Sequence, residues 1–148
     1  MKTTISAVAA LLALGASALA QNSPGVTARE IKIGQTMPYS GPASGYSAQG
    51  KVQSAYYNMI NAKGGVNGRK INFLSYDDGY SPPKTVEQTR KLVEQDEVLA
   101  TFGQLGTPTN SAIHKYMNQK QTPHLFISTG ADKWNDPKNY PWTVPLYP

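Results

Sequence analysis

The stretch EIKIGQTMPYSGPASGYSAQGKVQSAYYNMINAKGG, residues 30–65, sets the architecture of this chain. Its first part, Ile31-Lys32-Ile33-Gly34-Gln35-Thr36, is a short β-rich run and reads as a strand. A loop rich in Gly, Ser and Pro follows from Pro38 to Ser47. Beyond it, Val52, Ala55, Tyr56, Met59 and Ile60 fall at i, i+3, i+4, i+7 and i+8, which predicts a helix burying that face. Lys63-Gly64-Gly65 ends it. Strand, loop and helix in that order are the first unit of a parallel sheet covered by helices.

The alternation continues toward the C-terminus. Asn67-Gly68 tolerates positive φ and marks a turn, so Lys70 to Tyr76 is predicted as the second strand. Ser81 is placed to cap the next helix, with Pro82 or Pro83 in its first turn, where a missing N–H costs nothing. Val86, Thr89 and Val93 share one face of that helix. Glu87 with Lys91, and Arg90 with Glu94, are spaced for i,i+4 ion pairs. Val98 to Phe102 reads as the third strand, and Thr107-Pro108 as a hydroxyl cap opening a helix with Ala112, Ile113, Tyr116 and Met117 on its apolar face. His124 to Ile127 is the fourth strand, and Trp142-Thr143-Val144 the last strand candidate. The predicted class is α/β, a parallel sheet flanked by helices.

Toward the N-terminus, Lys2 precedes an apolar run from Ile5 to Leu14, and Ala18-Leu19-Ala20 precedes the polar Gln21-Asn22-Ser23. That series predicts a secretory signal peptide over residues 1–20, cut after Ala20. The run is too short to span a hydrocarbon core of about 30 Å. Residues 21–29 are then a short linker and 30–148 the folded unit, expected in the periplasm. The formal net charge is +5, with basic residues scattered singly and no arginine run, so the footprint of a nucleic-acid partner is missing. The absence of cysteine excludes disulfides, thiolate catalysis and cysteine-ligated metal.

In open parallel sheets, ligands bind beyond the carboxyl ends of the strands. Pro38 to Ser47, Gly103 to Thr109 and Ser128 to Ala131 fall there, all rich in Gly, Ser and Thr. Glycine admits a ligand to the backbone, hydroxyls donate and accept, and a helix N-terminus adds partial positive charge, which suits a small carboxylate. The competing reading is that Thr107 and Thr129 only cap and turn. Enzyme motifs are lacking: no G-x-x-x-x-G-K-S/T, no G-x-G-x-x-G after the first strand, and no G-x-S-x-G. His114 and His124 have no carboxylate near them in sequence, and Asp77-Asp78 reads as a polar turn with Gly79 because adjacent extended residues point to opposite sides. No catalysis, cofactor or metal is expected.

Three blocks carry a family resemblance: Glu30-Ile31-Lys32-Ile33-Gly34-Gln35-Thr36 with Ser40-Gly41-Pro42, the run from Asn61 to Ile71, and Tyr76-Asp77-Asp78 followed by Ser81-Pro82-Pro83-Lys84-Thr85. In order and spacing they resemble type I periplasmic binding proteins of the branched-chain amino acid (leucine/isoleucine/valine) ABC importers. The resemblance implies one α/β lobe of a two-lobe receptor that closes on a solute. It also implies ligand contacts after the third and fourth strands, at Leu105, Gly106 and Thr107 and at Thr129, Gly130 and Ala131, with Tyr46 from the first loop. The implied partners are a small solute, an amino acid or similar, and an ABC permease in the inner membrane. The commoner family pattern has paired serines where Gly106-Thr107 stand and Ser-Ala-Thr where Thr129-Gly130-Ala131 stand, so this chain carries two fewer hydroxyls there. The length further implies an N-terminal lobe without its second lobe. The alternative expectation is the ligand-sensing domain of an exported receptor or regulator.

Overall fold

A computed structural model describes residues 23–147, so the expected signal peptide lies outside the described residues. The first strand, β1 (Glu30–Met37), sits inside the sheet and presents different chemistry to its two faces. Gln35 meets the helix that follows β1, whereas a side chain at Gly34 would press within 3.1 Å of Leu92 on the opposite side. Burial on both faces is what a parallel sheet requires.

The elements are β1, α1 (Ser47–Ala62, led by a 3-10 turn over Ser44–Tyr46), β2 (Lys70–Asp77), α2 (Pro82–Arg90), β3 (Ala100–Phe102), α3 (Thr107–Gln119), β4 (His124–Ile127) and β5 (Thr143–Pro145). All neighbouring strands pair in parallel, in the order β2-β1-β3-β4-β5. The chain therefore leaves β1 first to one side and then to the other, which puts a topological switch point between β1 and β3.

α1 lies over β1 and β2. Tyr57 packs edge-on to Phe73 with ring centroids 5.0 Å apart, and the buried Gly50 leaves room for the Tyr39 hydroxyl, which a side chain there would overlap. The expected buried face of α1 is corrected here: Val52, Tyr56 and Met59 are 67%, 55% and 43% exposed. The sheet instead receives the face carrying Gln49, Gly50, Gln53 and Tyr57. Apolar spacing marks a stripe, but the strands beneath offer Gln35 and Phe73, whose partners Gln53 and Tyr57 stand on the adjacent face of the helix.

α2 and α3 pack on each other and on the other side of the sheet, over a core including Leu92, Val98, Ile113, Met117 and Ile127. α2 runs into a π-helical turn over Lys91–Gln95, which changes the phase of the helix. The expected i,i+4 ion pairs do not form among the described residues: Glu94 pairs with Lys120 at 2.9 Å, while Arg90 lies over the Tyr116 ring and Lys91 over Tyr76. On the α1 side, β3 to β5 lack a covering helix among the described residues. Phe102 and Phe126 touch there at 5.3 Å between ring centroids, and Phe126 and Val144 are each 41% exposed.

Candidate functional site

The β3 and β4 pairing continues past the strand ends. Leu105 and Ser128 form a parallel bridge, with Ser128 N donating to Gln104 O at 2.8 Å and Gly106 N to Ser128 O at 3.0 Å. These bonds draw the two Gly- and Thr-rich loops together at the carboxyl edge. There the hydroxyls of Thr107 and Thr129 hydrogen-bond to each other at 2.5 Å. Thr107 is thus not the helix cap expected of it. Gly106 is the N-cap residue, at φ 98°, and Thr107 is the first helical residue.

The start of α3 is held from beneath. Asn110 donates its amide protons to Gln104 O at 3.1 Å and Gly106 O at 2.7 Å, and Thr109 bonds Gly106 O at 3.0 Å. With both carbonyls above it occupied, the Asn110 oxygen faces His124 Nε2 at 2.9 Å and must accept, so the imidazole carries its proton on Nε2. Burial, with a smaller contribution from His114, pushes the His124 pKa down to about 3 and keeps the ring neutral.

The first two loops close the other side. Asp77 accepts from Tyr39 N, Ser40 N, Ser40 Oγ and Gly79 N at 2.6 to 3.1 Å, and from Lys84 at 3.3 Å. Burial opposes its charge, but these hydrogen bonds outweigh it and hold the carboxyl well below the usual range. The next carboxylate points the other way: Asp78 is buried, accepts from Tyr80 N and Thr85 Oγ1, and is raised by that burial. This pair knits turns; it does not converge on one point.

Between these loops opens a cavity of about 320 Å³ lined by Tyr46, Leu105, Gly106, Thr107, Thr129 and Gly130, with Tyr80, Ser128 and Tyr147. Ala131 stands outside that lining, half-buried at the cap of the 3-10 turn Asp132–Trp134. Ser128 falls in a loop the sequence singles out, but Tyr80 and Tyr147 carry no motif. Only the turn after Asp78 brings Tyr80 over. Among the described residues, no group of three or more His, Cys, Asp or Glu able to hold a metal occurs, and no charged side chain lines the cavity.

The profile of the periplasmic binding protein family matches residues 30–147, the whole segment that builds this sheet and edge. The chain belongs to the periplasmic binding protein family. Leu/Ile/Val-binding protein homolog 7 of Brucella abortus (strain 2308) is 30% identical over 129 residues, covering 85% of this chain and 31% of that relative. A substrate-binding periplasmic protein from Ralstonia solanacearum superposes with a TM-score of 0.71 at 26% identity, over 78% of this chain and 33% of that one. A fatty acid ABC transporter substrate-binding protein from Thermomonospora curvata gives 0.62 at 32%, over 71% and 27%. The chain spans about a third of the length of these periplasmic binding proteins. Its single sheet is the type I α/β fold of that family, and the relatives are solute-binding proteins.

Proposed function

We propose that this chain is solute-binding machinery of an ABC importer, holding a small carboxylate- or amide-bearing solute, such as an amino acid, at the Thr107–Thr129 edge. The observation that carries the reading is the convergence of two hydroxyl-bearing loops at the start of α3, beside the switch point of the sheet. A carboxylate there would accept from the hydroxyls and from the free N–H groups of the first helical turn, without a charged side chain. The names of the relatives support the transport role. On this reading residues 1–20 direct export and are removed, residue 21 begins the periplasmic form, no reaction is catalysed, and a membrane permease receives the solute.

A titration of the labelled protein with amino acids, amides and aromatic acids, followed by nuclear magnetic resonance, tests the site. Shifts should concentrate at the amides of Gly106, Thr107, Thr129 and Gly130. A panel that leaves all four unmoved at millimolar concentrations overturns the reading.

A further inference from the structure

We propose that Tyr80 sets the ligand class of this site: its ring, seated on Gly106, is a fixed aromatic wall, and the solute that fits is a carboxylic acid with a flat aromatic body. The inference rests on the solute-binding reading above and narrows it.

Tyr80 is placed by its backbone. Its φ is 61°, a left-handed conformation that a bulky residue adopts only where its surroundings enforce it. The enforcement is visible: Tyr80 N donates to Asp78 Oδ1 at 2.9 Å, Ser81 N donates to Asp78 O at 2.9 Å, and Thr85 Oγ1 holds the other oxygen of the buried Asp78 at 2.9 Å. The ring that results lies against residue 106. A β-carbon there would overlap Tyr80 Cε2 and stand 3.0 Å from Cζ and 2.8 Å from Thr109 Oγ1, so the wall and the glycine require each other. The serine of the commoner family pattern does not fit beside this ring.

The rest of the lining agrees. Tyr46 and Tyr147 stand at the rim, 62% and 55% exposed, and among the described residues Leu105 is the only aliphatic side chain larger than a methyl group in the cavity wall. Tyrosine rings attract a second ring in offset or edge-on contact beyond what burial alone provides. No aspartate or glutamate among the described residues lines the cavity, so they offer an ammonium group no counter-charge there, while the threonine hydroxyls serve a carboxylate.

Benzoate, cyclohexanecarboxylate and leucine are the probes, titrated into the whole chain while amide and Tyr80 ring resonances are followed. The middle probe keeps the carboxylate and the bulk but not the flat ring. Benzoate should bind roughly three- to tenfold more tightly than cyclohexanecarboxylate, the scale of one aromatic contact. Tyr80→Leu and Gly106→Ala should each remove that preference, and Tyr80→Phe should keep it. Equal affinity for benzoate and cyclohexanecarboxylate in the unaltered chain overturns the proposal, and that comparison stands even if Tyr80→Leu fails to fold. A folded Tyr80→Leu variant that retains the preference also overturns it. In both cases, shifts at Thr107 and Thr129 leave the solute-binding reading intact, whereas silence at those amides with every probe removes both.

Discussion

The Nε2–H of His124 donates to the side-chain oxygen of Asn110 at 2.9 Å, and both side chains are buried beneath the loop that carries Gly106 and Thr107. The contact fixes the imidazole tautomer and, through the two carbonyls that Asn110 holds, the direction in which α3 begins.

This pairing makes stability depend on pH. The folded-state pKa of His124 is depressed to about 3, so the unfolded chain binds the proton first as pH falls. The contribution is present above the unfolded value of about 6.5 and is lost below it, by up to about 1.4 kcal/mol per pH unit until the folded value is reached. His114, lowered by burial and then by Lys133, acts in the same direction. Urea denaturation from pH 7 to pH 4 should show the decline, and His124→Gln should flatten it. Identical slopes in the two proteins would mean that His124 is not the group responsible.

Removing the Asn110 side chain leaves His124 Nε2 without its buried partner, while Gln104 O keeps Ser128 N and Gly106 O keeps Thr109 Oγ1 and the Asn110 backbone N–H. At about 1 to 3 kcal/mol for one orphaned buried polar group, Asn110→Ala should lower stability by about 1 to 3 kcal/mol. A chemical denaturation midpoint within error of the parent would show that the network is dispensable.

The Thr107 and Thr129 hydroxyls bond each other, so a solute must compete with that bond. Grafting residues 103–109 and 128–131 into a full-length Leu/Ile/Val-binding relative gives a two-sided pocket for calorimetry. There Thr107→Val and Thr129→Val should each weaken a carboxylate ligand by about 1.5 to 3 kcal/mol, the range for a hydrogen bond to a charged group. Unchanged affinity in both would assign the hydroxyls to packing the loops.

The uncovered side of β3 to β5, with Phe126 and Val144, and the exposed stripe of α1 place apolar surface next to sheet edges. Such surface associates. Sedimentation of the folded chain should show concentration-dependent self-association that Phe126→Lys combined with Met59→Lys reduces. A monomer across the accessible range, unaffected by these changes, would contradict this.

The alternation of strand and helix, the turn at Asn67-Gly68, the proline-led starts of α2 and α3 and the loops at the carboxyl edge were all legible in the sequence. Each depends on residues within one turn or one strand of each other, and local backbone preference is enough to place them. The side of α1 that is buried was not legible, because Val52, Tyr56 and Met59 mark an apolar stripe whatever lies opposite. Only the tertiary structure, through the register that sets Ile33 against Phe73 and Ala100, decided that Gln53 and Tyr57 face the sheet. It alone joined Thr107 to Thr129 across 22 residues, seated Tyr80 on Gly106 and put His124 beneath Asn110. Those contacts depend on where the neighbouring strand ends, a distance no local pattern encodes.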